Sequence, residues 1–185
     1  MNYIDMTDEE LKQEFIKYFG EEKWEEEEEL SKLTKLQFFI CDKLQIEPVP
    51  LIVEDILDDS RFDINNECII ISKKIINNHT ESVKALIHET RHLYQLLIVA
   101  NEVEIHPLYE QWKDNFKNPI VIQKEDDFNN NDMLLQYMAQ PIELDAFAYT
   151  KYFFQKYFHK ELICFDNEIE AIFDMYIDVY LKNNL

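Results

Sequence analysis

The 185-residue chain predicts an α+β fold in which helices dominate and a small sheet of about three strands is inserted. Three observations carry that expectation. Glycine occurs once and proline five times, too few turn formers for a sandwich or barrel of many short strands. Apolar residues recur at helical spacing in several long segments. Between residues 50 and 72 the period changes, and β-branched residues collect there.

The elements follow in order. Residues 7–20 predict a helix with Leu11, Phe15, Ile16 and Phe19 as its stripe and Gly20 as its stop. The acidic run "EEKWEEEEEL" reads as a solvated face. A helix over about 24–45 buries Leu30, Leu33, Leu36, Phe39, Ile40 and Leu44, and "EPVP" ends it. "PLIVEDI" predicts a strand near 50–56. "RFDINNECIIIS" predicts a hairpin, with Phe62 and Ile64 before a turn at Asn65-Asn66 and Cys68 to Ile71 after it. A helix from about Thr80 to Val99 follows. Residues 101–132 read as a long irregular excursion with short elements, the kind of insertion that often serves as a lid or binding loop. A further helix starts at Met133 or Pro141 and runs to Phe158. The last, capped near Asp166, buries Ile169, Ile172, Phe173, Tyr176, Ile177 and Tyr180. Residues 1–30 read as a helical, acidic appendage to a domain over 31–185, or as part of one domain.

Composition excludes several functions. With Gly20 as the only glycine, neither a Walker A loop nor a dinucleotide-binding fingerprint can form. A net charge of −20 with scattered basic residues repels phosphate backbones, so direct nucleic-acid binding is not expected. No apolar run approaches the ~18 residues that a membrane span needs. The N-terminus "MNYIDMTDEE" lacks a signal-peptide core. Cys41, Cys68 and Cys164 form no CxxC pair and read as free thiols. Together these predict a cytoplasmic protein. Its Asn-, Ile-, Lys- and Glu-rich composition points to a bacterial or phage source. The oligomeric state is not legible.

The chemistry lies in "LIHETRHLYQ", residues 86–95. Positions i and i+4 of a helix lie about 40° apart, so His88 and His92 project from one face. Two imidazoles so placed can share one tetrahedral Zn2+. A zinc ion there acidifies a coordinated water to a pKa of about 7, and Glu89 beside the pair is placed to take its proton as general base. The plain alternative is two ordinary helix histidines hydrogen-bonded to neighbours. Context favours the metal. Val83, Leu86, Ile87, Leu93, Tyr94, Leu97 and Ile98 make the helix amphipathic, and a strand-rich segment precedes it.

A catalytic zinc needs a third protein ligand and an open fourth position. "QPIELDAFAYTKYFF", 140–154, supplies candidates: Pro141 suits a first helical turn, and Glu143 and Asp145 follow near the positive helix terminus. Glu143 is the expected ligand. Asp145 is then an outer partner that orients a ligand histidine through its other ring nitrogen. The reverse assignment stays open, as does the reading that both merely favour a helix start. Arg91 and Gln95 fall at i+3 and i+7 from His88, where either can bind a substrate carbonyl or pair with Asp145. Tyr149 and Tyr152 are candidates to stabilise an oxyanion, or core residues. His79, His106 and His159 are not expected to be ligands. Asp58, Asp59 and Asp126-Asp127 read as loop solvation.

"HETRH" after strands, with "PIELDAFA" about fifty residues on, resembles the small zincin-like metallopeptidases of bacteria and phages, among them the ImmA/IrrE-like proteins and relatives with H-E-x-R-H-x-x-Q. The resemblance spans roughly residues 33–158. It implies a zincin-like fold, Zn2+ as cofactor, His88, His92 and Glu143 as its ligands, and Glu89 as base. Arg91 matches the H-E-x-R-H relatives but stands where many zincin-like proteins have glycine, and Glu143-Leu144-Asp145 stands where the family has Glu-Ala-Asn. The expected function is a zinc metallopeptidase acting on a peptide bond of a specific protein target. The alternative is a non-catalytic zincin-fold regulator that binds a partner through its acidic surface.

Overall fold

The computed structural model describes residues 28–104, 106–120, 131–162 and 167–183, together with Glu10, Gln13 and Phe19. The expected helix over 7–20, the acidic run over 21–27, Cys164 and the Asp166 cap lie outside this set, apart from those three positions. Among the described residues the chain is helix-dominated with one three-stranded sheet, as the composition requires.

Helix α1, Glu29–Leu44, buries Leu33, Leu36, Phe39, Ile40 and Leu44. Leu30 does not join them; it lies one turn too early and is exposed. The helix stops at Gln45, which adopts a left-handed conformation with φ of 56°. Its N–H and that of Ile46 return to the carbonyls of Asp42 and Cys41, as at many helix C-termini. Phe19 packs 6.2 Å from Phe39, centroid to centroid, in the same core.

Strands β1 (Leu51–Glu54), β2 (Ser60–Asp63) and β3 (Cys68–Ser72) form a mixed sheet in the order β1-β3-β2. β3 runs parallel to β1 and antiparallel to β2. The unbroken run Cys-Ile-Ile-Ile-Ser is buried on both faces, which is why it takes the central place. In the hairpin, the Asp63 carboxylate accepts from the Asn65 and Asn66 N–H groups. Ile64 leaves the strand here and is exposed.

Helix α2, His79–Ala100, is capped by the Asn78 side chain, which accepts from the Glu81 N–H. It packs on β2 and β3, and on α1. The excursion over 101–132 contains a true helix, α3 (Tyr109–Lys117), whose Trp112 is fully buried. The region offered as one helix from Met133 or Pro141 is two: α4 (Asn131–Met138) and α5 (Pro141–Phe153). α5 widens into a π-helical turn over Phe154–Phe158. α6, Asn167–Asn183, lies against α5 and buries Phe173 and Tyr180, while Ile172 faces outward. No helix among the described residues is long and apolar enough to cross a membrane.

Candidate metal centre

α2 and α5 pack side by side, and this pairing builds the site. His88 and His92 rise from α2 on consecutive turns, their rings edge to face with centroids 4.6 Å apart. Glu143, in the first turn of α5, faces them. The His88 and His92 Nε2 atoms are 3.0 Å apart. Glu143 Oε2 lies 3.2 Å from His88 Nε2 and 3.5 Å from His92 Nε2. A tetrahedral zinc with ligand bonds of about 2.0–2.1 Å has ligand atoms about 3.3 Å apart along each edge. The three atoms therefore already form one face of such a tetrahedron. Two imidazoles and a carboxylate are also a donor set suited to zinc. Among the described residues these are the one His/Cys/Asp/Glu group close enough to hold a metal ion.

The electrostatics agree. Burial disfavours a charged His92, yet the Glu143 carboxylate and its hydrogen bond, with help from Glu89 and Gln95, lift its pKa to about 9. Burial likewise disfavours ionised Glu143, but His92 and His88 hold its carboxyl well below the usual range. A proton on His92 thus occupies the place a metal cation suits.

Around the triad stand other groups. Glu89 is buried, and the Ser60 hydroxyl at the start of β2 donates to its Oε1 at 2.8 Å. Phe147 closes one side, its ring centroid 4.5 Å from that of His88. Tyr137 of α4 hydrogen-bonds to Glu143; burial, Glu143, Glu89 and Asp58 together push its hydroxyl pKa far up, so it stays protonated.

Asp145 does not touch a histidine ring as the sequence suggested. It pairs with Arg91: Nε donates to Oδ2 at 2.8 Å and Nη2 to Oδ1 at 3.1 Å, with both side chains fully buried. The reason is angular: residues two apart on a helix face about 200° apart, so Glu143 toward the histidines sends Asp145 elsewhere. Arg91 is correspondingly closed to substrate. The rings of Tyr94, Tyr149, Tyr180 and Trp112 surround its guanidinium at 4.6, 4.6, 5.0 and 5.5 Å. Burial opposes its charge, and Asp145 more than restores it.

Tyr149 therefore belongs to the Arg91 cage rather than to an oxyanion site. Tyr152 accepts a hydrogen bond from Lys156. Gln95 takes the place offered to Asp145: its Oε1 lies 2.8 Å from His92 Nδ1. His106 is buried against Trp112, with ring centroids 4.4 Å apart, and His79 is the first residue of α2. His159 follows the π turn in a left-handed conformation. Asp126-Asp127 lie outside the described residues. Ser60 and Tyr137 carried no signal in the sequence, and Phe147 and Tyr180 were legible only as part of a motif and of an apolar stripe, because only the packing of four separate elements brings them to the site.

Compared with known families, curated proteins and solved structures, the chain matches none.

Proposed function

We propose that the protein is a zinc-dependent metallopeptidase of zincin-like architecture that hydrolyses a peptide bond in a specific protein target in the cytoplasm. One observation carries this reading: two Nε2 atoms and a carboxylate oxygen converge at tetrahedral spacing, with the Glu89 carboxylate on the same helix. When bound, zinc supplies a Lewis acid that polarises a carbonyl and acidifies water. The chain's own residues supply the rest. His88, His92 and Glu143 would hold the ion. Glu89, held by Ser60, takes the proton of the attacking water at a carboxylate oxygen and passes it to the leaving amine. Tyr137 stays protonated and donates its one O–H to Glu143, which fixes that carboxylate in place as a ligand.

Elemental analysis of purified protein tests the metal. The expected result is about one zinc per chain, lost in His88→Ala and Glu143→Ala. Glu89→Gln then separates catalysis from binding. It should keep the zinc and lose at least about 100-fold in hydrolysis of a proteome-derived peptide library. Zinc held by wild type and Glu89→Gln and lost in the two ligand variants, but with no cleavage by wild type, would leave a zinc-binding regulator instead. No zinc in wild type after reconstitution would sink the reading.

A further inference from the structure

His92 can bind a metal through Nε2 only if its proton sits on Nδ1, and the structure contains a device that sets this. Gln95 Nε2 has two hydrogens. One is donated to the Ile142 carbonyl at 2.9 Å and the other to Asp145 Oδ2 at 2.6 Å. Both partners are acceptors only, so the amide cannot turn over without setting oxygen against oxygen. Gln95 Oε1 must therefore face His92 Nδ1, 2.8 Å away, and Nδ1 must carry the hydrogen. When a metal replaces the proton on Nε2, the Nε2 lone pair is the one that faces the site.

Asp145 is itself held. The Tyr180 hydroxyl donates to its Oδ1 at 2.7 Å and lies 2.9 Å from its backbone oxygen. Arg91 grips the other lone pairs. Gln95, Arg91, Asp145 and Tyr180 are all buried with essentially no exposed surface, so water does not substitute for any member. Tyr180 lies in α6, far along the chain from the motif helix.

We infer that Gln95 is the positioning residue of the metal site, and that Tyr180 of the last helix sets it through Asp145. The last helix is then a latch: seated, it presents His92 Nε2 to the ion, and displaced, it releases the Gln95 amide. This rests on the metal reading above. It adds that affinity for the ion is controlled from α6, some ninety positions beyond His92.

Zinc affinity of the full chain, by competition with a chromophoric chelator, tests it. The probe is zinc alone, with circular dichroism of the metal-free variants as the check on folding. Gln95→Met keeps the shape and removes the acceptor, and zinc binding should weaken about 10–100-fold. Tyr180→Phe removes one hydroxyl and should weaken it about fivefold. The double variant should be no weaker than Gln95→Met, because Tyr180 acts through that amide. A purely structural Tyr180 would lower the melting temperature of metal-free protein and leave the affinity of folded protein unchanged. Should Gln95→Met fail to fold, Tyr180→Phe decides alone. Wild-type affinity in either folded variant, or additive losses in the double, overturns the relay while the metal site stands. Absence of zinc binding by wild type overturns both.

Discussion

His92 and Glu143 are held together by opposing demands. Glu143 is buried and His92 largely so, and loss of water alone would neutralise both; each stays charged because the other is there. The sign of the pH dependence follows. With a folded pKa of about 9 against ~6.5 unfolded, protonated His92 stabilises the metal-free fold fully below pH ~6.5, and this is lost as pH rises through 9. Zinc must displace that proton. Its affinity should therefore rise with pH by up to about tenfold per unit and level off above 9. Chelator competition between pH 6.5 and 9.5 checks this, and a flat profile would contradict it. At the same scale, Glu143 and Asp145 show how far residue reading goes. Both were legible as carboxylates near a helix N-terminus. Which one faces the histidines depends on how α5 is rotated against α2, and that is a packing result.

The elements compensate for a chain almost without glycine. Gln45, Glu67, Glu102 and His159 all take positive φ, where a Cβ costs energy. At Gln45, which ends α1, the cost is plain because its exposed side chain makes no stabilising cap. Gln45→Gly should raise unfolding stability by about 0.5–1 kcal/mol, readable as a shift in the denaturant midpoint with unchanged slope. No gain would mean that the unfolded chain's added freedom offsets the relieved strain. The start of α5 shows a different solution. Gln140 precedes Pro141 without capping the helix through its own side chain. Its amide instead accepts from Asn115 and from the Ile120 N–H and donates to the Ile120 and Tyr137 carbonyls. Asn115 Oδ1 accepts the Ile142 N–H, so a neighbouring helix caps this one. The sequence offered Met133 and Pro141 as rival starts. Both neighbourhoods begin helices, because Pro141 bars the first from running on, and the capping that lets the second begin comes from α3.

For the whole molecule the dominant long-range term is self-repulsion. A net charge of −20 on a folded chain of this size opposes compactness wherever it is not screened. Raising ionic strength from about 0.01 M to 0.15 M shortens the screening length from ~30 Å to ~8 Å. The melting temperature of metal-free protein should rise by several degrees over that range, by scanning calorimetry. A fall would mean that surface ion pairs such as Lys84–Glu81 outweigh the repulsion.

Periodicity alone determined that helices dominate, that strands fall between 50 and 72, and that His88, Glu89 and His92 share a helix. Those properties are local, set by sterics and by which residues must leave water, so neighbours in sequence carry them. Tertiary structure decided the rest. It placed β3 between β1 and β2, gave Glu143 to the histidines and Asp145 to Arg91, and brought Ser60, Tyr137 and Tyr180 in from three other elements. Those choices depend on how whole helices rotate and settle against one another. A buried ion pair and a fully committed amide tolerate only one such arrangement, and no window of sequence contains both halves of either contact.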